Sequence, residues 1–118
     1  MAKIRVLIVD DSAVVRQVLS EVLNESPDIE VTATASDPIV ARSRLEKEWP
    51  EVVITDIEMP RMDGISFIEQ IMKERPTPMI VCSSVAGESA SVAMRALAAG
   101  AVDVIAKPKI GVKDFLSE

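Results

Sequence analysis

Short aliphatic runs alternate along the chain with segments in which apolar residues recur every three or four positions. The runs predict buried strands, and the three-to-four spacing predicts helices with one apolar face. The first run, Ile4–Val9, is almost wholly aliphatic, as expected of a central parallel strand that is covered on both faces. The predicted strands are residues 4–9, 29–35, 52–55, 79–82 and 102–106.

Prolines and capping residues mark the ends of the predicted helices. Pro27 closes the first helix. Asp37 and Pro38 form an N-cap and first turn for the second helix, which Trp49 and Pro50 end. The third helix runs from about residue 65 to Arg75-Pro76, and the fourth covers 89–99 with Gly100 as its C′ residue.

The strand 29–35 differs from the others because its apolar residues alternate with Glu30, Thr32 and Thr34. Such alternation predicts one water-facing side, and therefore a place at the edge of the sheet. The complete pattern predicts an α/β fold: a doubly wound, five-stranded parallel sheet of flavodoxin-like type, with strand order 2-1-3-4-5 and helices on both faces. Residues 110–118 leave room for about two turns of a last helix, which we expect to be short or missing.

Composition narrows the classes of function. The 118 residues are enough for one domain with one core, and the net charge of −6 argues against nucleic acid as a partner. Cys82 is the only cysteine, which excludes an internal disulfide and fits a cytoplasmic protein. No run approaches the roughly 20 apolar residues that cross a bilayer, so membrane insertion is not expected. Because there is no histidine, the chain cannot itself carry phosphohistidine.

Polar residues suited to phosphoryl transfer follow four of the predicted strands. They are Asp10 and Asp11 after strand 1, Asp56 after strand 3, Ser83 after strand 4 and Lys107 after strand 5. We expect them to meet, because ligands of such sheets bind beyond the carboxyl ends of the strands. Clustered carboxylates repel one another, and Mg²⁺ relieves this repulsion while keeping positions open for phosphoryl oxygens. A carboxylate nucleophile, a metal ion and an ammonium group are what phosphoryl transfer to an acid requires.

Each of these residues also has an ordinary structural explanation. Asp56 could form a turn, and either Asp11 or Ser12 could cap the first helix. Lys107 alone would be a solvated surface lysine, and Ser83 alone a loop serine. Their combination on four strands of one predicted sheet favours a functional site.

Three segments resemble the receiver domains of response regulators. Residues 6–12 read Val-Leu-Ile-Val-Asp-Asp-Ser, residues 56–64 begin Asp-Ile-Glu-Met-Pro and end Met-Asp-Gly, and residues 106–108 read Ala-Lys-Pro. The resemblance covers the whole chain and implies that residues 1–118 form one receiver domain. It also implies that Asp56 is the phospho-acceptor, that a histidine kinase is the phosphodonor and that Mg²⁺ is the cofactor.

The resemblance further implies a role for each residue of the site. The implied set is Asp11 and Asp56 as side-chain ligands of Mg²⁺, Glu58 as a ligand through its main-chain carbonyl, Asp10 acting through metal-bound water, and Ser83 and Lys107 holding the phosphoryl group. Receivers typically have a cis bond where this chain has Lys107-Pro108. They commonly carry Phe or Tyr three residues before the lysine, where this chain has Val104.

A narrower similarity points to the receiver of chemotaxis protein-glutamate methylesterases. It lies in residues 56–64, Ser83-Ser84, 95–97, 100–103 and 106–109. In that family the effector is a C-terminal hydrolase domain, which the phosphorylated receiver releases from inhibition. These 118 residues contain no such domain, so we expect no methylesterase activity from them. An effector domain encoded after Glu118 would distinguish this interpretation from a stand-alone receiver that docks to a partner once phosphorylated.

Two other classes fit less well. Phosphatases of the haloacid dehalogenase type form an aspartyl-phosphate, but they place an Asp-x-Asp motif on the first strand. Here the corresponding Asp56-Ile57-Glu58 follows the third predicted strand. A dinucleotide-binding protein would need a Gly-rich turn after strand 1, and none of the four glycines lies there.

Overall fold

A computed structural model of the chain describes residues 3–57, 63–83 and 89–106. The elements are β1 (Ile4–Val9), α1 (Ala13–Asn24), β2 (Ile29–Ala35), α2 (Pro38–Lys47), β3 (Val52–Thr55), α3 (Gly64–Glu74), β4 (Met79–Ser83), α4 (Ser89–Ala99) and β5 (Asp103–Ala106). All strand pairs are parallel, and the sheet order is β2-β1-β3-β4-β5. The predicted fold class and strand order are confirmed. The expected last helix falls outside the described residues.

Helices begin where the sequence supplies a capping side chain. The Ser12 hydroxyl accepts a hydrogen bond from the Val15 amide at 3.2 Å, so Ser12, rather than Asp11, caps α1. The Asp37 carboxylate accepts from two amides at the start of α2, with Pro38 in the first turn as predicted. Asp63 caps α3, which therefore begins at Gly64, one residue before the predicted start.

The sheet is covered by helices on both faces, and β1 contributes to both. Leu7 and Val9 belong to the larger apolar cluster, which includes residues of α2, α3 and α4. Val6 and Ile8 belong to a second cluster, against which Leu19 of α1 packs. Since successive side chains of a strand point to opposite faces, a strand covered on both sides must be apolar throughout. This explains the uninterrupted aliphatic run of β1.

The apolar residues of β2 do not share one face of the sheet. Ile29 and Val31 pack against the cluster on the α1 side, whereas Ala33 and Ala35 belong with the cluster on the opposite side. The edge position predicted for this strand is confirmed. The expectation that one side of β2 carries all its apolar residues and the other faces water is wrong.

A β-bulge in β2 causes this change of face. Val6 pairs with Val31, but the next residue of β1, Leu7, pairs with Ala33, so Thr32 is an extra residue between two regular pairs. The Thr32 hydroxyl donates a hydrogen bond to the Val6 carbonyl at 3.4 Å. Because side chains alternate with a period of two, one extra residue moves every later side chain to the other face.

Gly100 ends α4 as predicted and requires glycine for two reasons. Its φ of +125° lies in the left-handed region, and a Cβ atom there would lie 2.6 Å from Met72 Cγ of α3. The Gly100 amide donates to the Leu97 carbonyl and the Ala101 amide to the Ala96 carbonyl, which is the Schellman pattern. In the described ranges, no helix has the length and apolar character to cross a membrane.

Candidate functional site

The ends of β1 and β3 bring two aspartates together. Val9 pairs with Thr55 as the last residue of each strand, and the Asp56 amide donates to the Val9 carbonyl at 2.9 Å. Asp10 follows Val9 directly, so Asp10 and Asp56 lie side by side at the carboxyl edge of the sheet. This edge, between strands 1 and 3, is the switch point of the strand order, where ligands of such sheets bind.

Asp10, Asp11 and Asp56 form one carboxylate cluster. Each offers an oxygen, and these oxygens lie within 4.8 Å of one another. Asp10 and Asp56 are buried, with only 1% and 5% of their surface exposed, while Asp11 is exposed. Packing three carboxylates so closely is unfavourable because like charges repel, and more strongly where water is excluded. The oxygen donor set fits a hard divalent cation such as Mg²⁺, which binds one or two carboxylates and keeps several waters.

Asp10 is held by hydrogen bonds through its main chain and through its carboxylate. The Asp10 amide donates to the Ala35 carbonyl on β2 at 3.0 Å. Its carboxylate Oδ1 accepts from the Ser12 amide at 2.8 Å, which closes a tight turn before α1. Its carbonyl accepts from Arg16 Nη1 at 2.7 Å. The turn that carries Asp10 and Asp11 is therefore anchored to the neighbouring strand and to the following helix.

Asp56 is held by its immediate neighbours in the chain. Its Oδ1 accepts from the Ile57 amide at 2.7 Å, which fixes the orientation of the carboxylate. The hydroxyl of Thr55, a fully buried residue, donates to the Asp56 carbonyl at 2.9 Å. Main chain and side chain of Asp56 are thus both constrained before any ligand binds.

The start of α3 lies directly against the Asp56–Ile57 main chain. The Gly64 amide donates to the Ile57 carbonyl at 2.8 Å. A Cβ atom at Gly64 would lie 2.5 Å from Ile57 Cα and 2.6 Å from the Asp56 carbonyl oxygen. Only a residue without a Cβ allows this approach without movement of the main chain.

The structure brings together some of the residues predicted for the site. Asp10, Asp11 and Asp56 meet as expected. The main chain of Ser83 pairs with Ala106, so β4 and β5 end level with one another at the same edge of the sheet. Glu58 and Lys107, and with them the predicted cis bond before Pro108, lie outside the described residues.

The side chains of Thr55 and Arg16 contact the main chain of the cluster, and neither contact was predicted from the sequence. Thr55 looked like the last residue of an apolar strand, and Arg16 looked like one more polar residue on a surface helix. One signal for Arg16 was available: it is the fourth residue of α1, and a cation near a helix N-terminus opposes the helix dipole. A residue that breaks a local rule is a candidate for a role elsewhere in the fold.

Comparisons with known proteins agree with this geometry. The family model described as "Response regulator receiver domain" matches residues 6–115. Over 116 residues the chain is 60% identical to protein-glutamate methylesterase/protein-glutamine glutaminase 2 of Pseudomonas syringae pv. tomato, with 98% of this chain and 32% of that protein covered. The chain spans about a third of the length of the curated relatives that it matches.

Two solved structures are also similar to this chain in fold and in sequence. The response regulator domain of Thermotoga maritima CheB has a TM-score of 0.84 at 39% identity, with 98% of this chain and 92% of that chain covered. A chain in the crystal structure of the P1 domain of CheA3 in complex with CheY6 from R. sphaeroides has a TM-score of 0.80 at 32% identity. Coverage there is 99% of this chain and 93% of that chain.

Proposed function

This chain belongs to the response regulator receiver family, and we propose that it accepts a phosphoryl group on Asp56 from a phosphohistidine of a partner histidine kinase. Its similarity to CheB receivers makes it a chemotaxis response-regulator domain. The observation that carries the proposal is the cluster of Asp10, Asp11 and Asp56, an acidic triad typical of the Mg²⁺ site of a receiver.

Asp56 is the nucleophile in this proposal. One carboxylate oxygen forms a bond to phosphorus while the bond between phosphorus and the kinase imidazole nitrogen breaks, and the nitrogen keeps that electron pair. The hydrogen bond from the Ile57 amide orients the carboxylate for this attack. Mg²⁺, when bound, would neutralise the carboxylates and the phosphoryl oxygens and so lower the repulsion between two anions.

The other proposed roles follow the family resemblance. Asp11 and Asp56 would bind Mg²⁺ through their side chains, Glu58 through its main-chain carbonyl, and Asp10 through a bound water. Ser83 and Lys107 would contact the oxygens of the phosphoryl group. Support for these two comes from β4 and β5, which end in register at the edge that carries the cluster.

We further propose that the parent protein is a cytoplasmic protein-glutamate methylesterase whose C-terminal hydrolase domain is regulated by this receiver. The support is the 60% identity to such a protein over nearly the whole chain, at about a third of that protein's length. Phosphorylation of Asp56 would then relieve inhibition of the hydrolase. A gene that ends at Glu118 would instead favour a stand-alone receiver that docks to a partner.

The direct test is phosphorylation by a small-molecule phosphodonor, followed by intact mass. The wild-type chain with Mg²⁺ should gain one phosphoryl group, and EDTA should prevent the gain. Asp56→Asn should remain unlabelled. The matched control is Asp28→Asn, because Asp28 is an exposed aspartate that directly precedes β2 and therefore lies at the amino ends of the strands, opposite the cluster. This variant should be labelled like the wild type. Full labelling of Asp56→Asn would reject Asp56 as the acceptor.

A further inference from the structure

Arg16 connects α1 to the turn that carries two carboxylates of the cluster. Its Nη1 donates to the Asp10 carbonyl oxygen at 2.7 Å, and the contact is partly buried. A guanidinium-to-carbonyl bond of this length is a charge-assisted hydrogen bond, which is stronger than one between neutral groups. Arg16 itself is held in α1, where the Ser20 hydroxyl donates to its carbonyl at 2.7 Å.

The position of Arg16 is unfavourable for α1 taken alone. The first turn of α1 contains no acidic residue, so nothing there compensates a cation near the positive end of the helix dipole. The bond to the Asp10 carbonyl gives the guanidinium a partner outside the helix. The bonding partner of this guanidinium thus lies in the turn before the helix.

The carbonyl that Arg16 contacts belongs to the peptide group between Asp10 and Asp11. A peptide plane that is held in place sets the orientation of the main chain at both Asp10 and Asp11. The Asp10 carboxylate is also held by the Ser12 amide, but Asp11 is exposed and sits in a bend. Control of the shared peptide is thus the route by which Arg16 influences the exposed carboxylate.

We propose that Arg16 is a positioning residue for the carboxylate cluster: its guanidinium holds the Asp10–Asp11 peptide so that both carboxylates face the cation site. The inference rests on the proposed function only in taking Mg²⁺ as the cation. Arg16 acts through the main chain of Asp10 and makes no contact with substrate in this role.

Positioning and simple charge predict opposite results for a neutral substitution. Arg16 carries a positive charge close to the cluster, and this charge repels Mg²⁺. Removal of the charge alone would therefore strengthen Mg²⁺ binding to the cluster. Loss of the hydrogen bond would loosen the Asp10–Asp11 peptide and weaken Mg²⁺ binding, as loss of groups that orient metal ligands usually does. The sign of the change in Mg²⁺ affinity therefore separates the two effects.

The test compares Mg²⁺ affinity, measured by amide chemical-shift titration at constant ionic strength, in Arg16→Gln, Arg16→Lys and Arg44→Gln. Arg44 is the matched control, since its Nε also donates to a main-chain carbonyl, that of Thr34 on β2 at 3.2 Å, and not to one of the three clustered aspartates. Arg16→Gln should bind Mg²⁺ about tenfold more weakly. Arg16→Lys, which keeps the charge without the planar fork, should be intermediate, and Arg44→Gln should equal the wild type.

A second readout needs neither metal nor phosphate. In the metal-free chain, the Ser12 amide, which is bonded to Asp10 Oδ1, should exchange with solvent faster in Arg16→Gln than in Arg44→Gln.

Unchanged or tighter Mg²⁺ binding by Arg16→Gln, or an equal loss in Arg44→Gln, overturns the proposal. If Arg16→Gln does not fold, Arg16→Lys decides: weaker binding supports positioning and wild-type binding overturns it. A wild-type chain that binds Mg²⁺ but is not phosphorylated would reject the proposed function and leave this test intact.

Discussion

Gly64 and Asp56 are in main-chain contact across the start of α3. A Cβ atom on Gly64 would lie 2.6 Å from the Asp56 carbonyl oxygen, closer than real Cβ atoms come to any neighbour. The contact joins the proposed phospho-acceptor to a helix whose other residues build the larger apolar cluster, Phe67 and Ile68 among them. The geometry of the acceptor is therefore coupled to the packing of α3.

We expect Gly64→Ala to lower the free energy of unfolding by about 1–3 kcal/mol, because the added methyl group must displace main-chain atoms. Phosphorylation of Asp56 should also slow. The control is Gly100→Ala at the end of α4. An alanine there would clash with Met72 and would have to adopt a positive φ. It should also destabilise the fold while changing the labelling rate less. Urea unfolding and the rate of mass gain measure the two effects, and equal labelling rates in the two variants would contradict the coupling.

A second prediction concerns the buried hydroxyl of Thr55. Thr55→Val keeps the shape of the side chain but removes the hydrogen bond to the Asp56 carbonyl. We expect a loss of about 1–2 kcal/mol in the free energy of unfolding. Thr32→Val is the comparison, since its hydroxyl makes a longer bond of 3.4 Å in a half-buried position, and it should cost less. A larger loss in the free energy of unfolding for Thr32→Val than for Thr55→Val would contradict this prediction.

The carboxylate cluster should lower stability in the absence of metal. Asp56→Asn removes one of three negative charges whose oxygens lie within 4.8 Å of one another. In EDTA we expect this variant to be more stable than the wild type, by on the order of 1 kcal/mol. Adding Mg²⁺ should raise the melting temperature of the wild type and have much less effect on the variant. Asp28→Asn should behave like the wild type in both conditions.

Val104 leads to a prediction about signalling. It is half-buried, packs against the larger apolar cluster and pairs with Val81 on β4. A β-branched side chain has few rotamers and cannot fill or vacate a ring-sized space. With a phosphate mimic at Asp56, we therefore expect amide shifts to change more over residues 84–97 than around Val104. Equal changes at both places would show that β5 takes part in the switch.

The sequence predicted the positions of all five strands to within one residue. The bounds of β1, β2 and β3 match the predicted bounds, whereas β4 ends one residue later and β5 begins one residue later than predicted. The carboxylate cluster followed from one rule, that parallel strands end at one edge. Alternation alone could not reveal the bulge in β2, since an extra residue such as Thr32 changes the face of later side chains without changing the pattern of letters.

Contacts between separate elements of the fold could not be predicted from the sequence. Gly64 could be read as part of a family motif, but its close approach to Asp56 depends on where α3 packs. The bond from Arg16 to Asp10 likewise depends on the angle at which α1 leaves the turn. Periodicity and capping rules describe single elements, and both contacts arise between elements.

The bulge in β2 also affects how the molecule can meet other molecules. An open edge strand with regular spacing is a template for a strand from another chain, and such pairing leads to aggregation. Here Thr32 interrupts that spacing on the edge strand, and Arg44 Nε occupies the Thr34 carbonyl two residues later. Strand-to-strand association through β2 is disfavoured by both, so the residue that redistributes the core also protects the edge of the sheet.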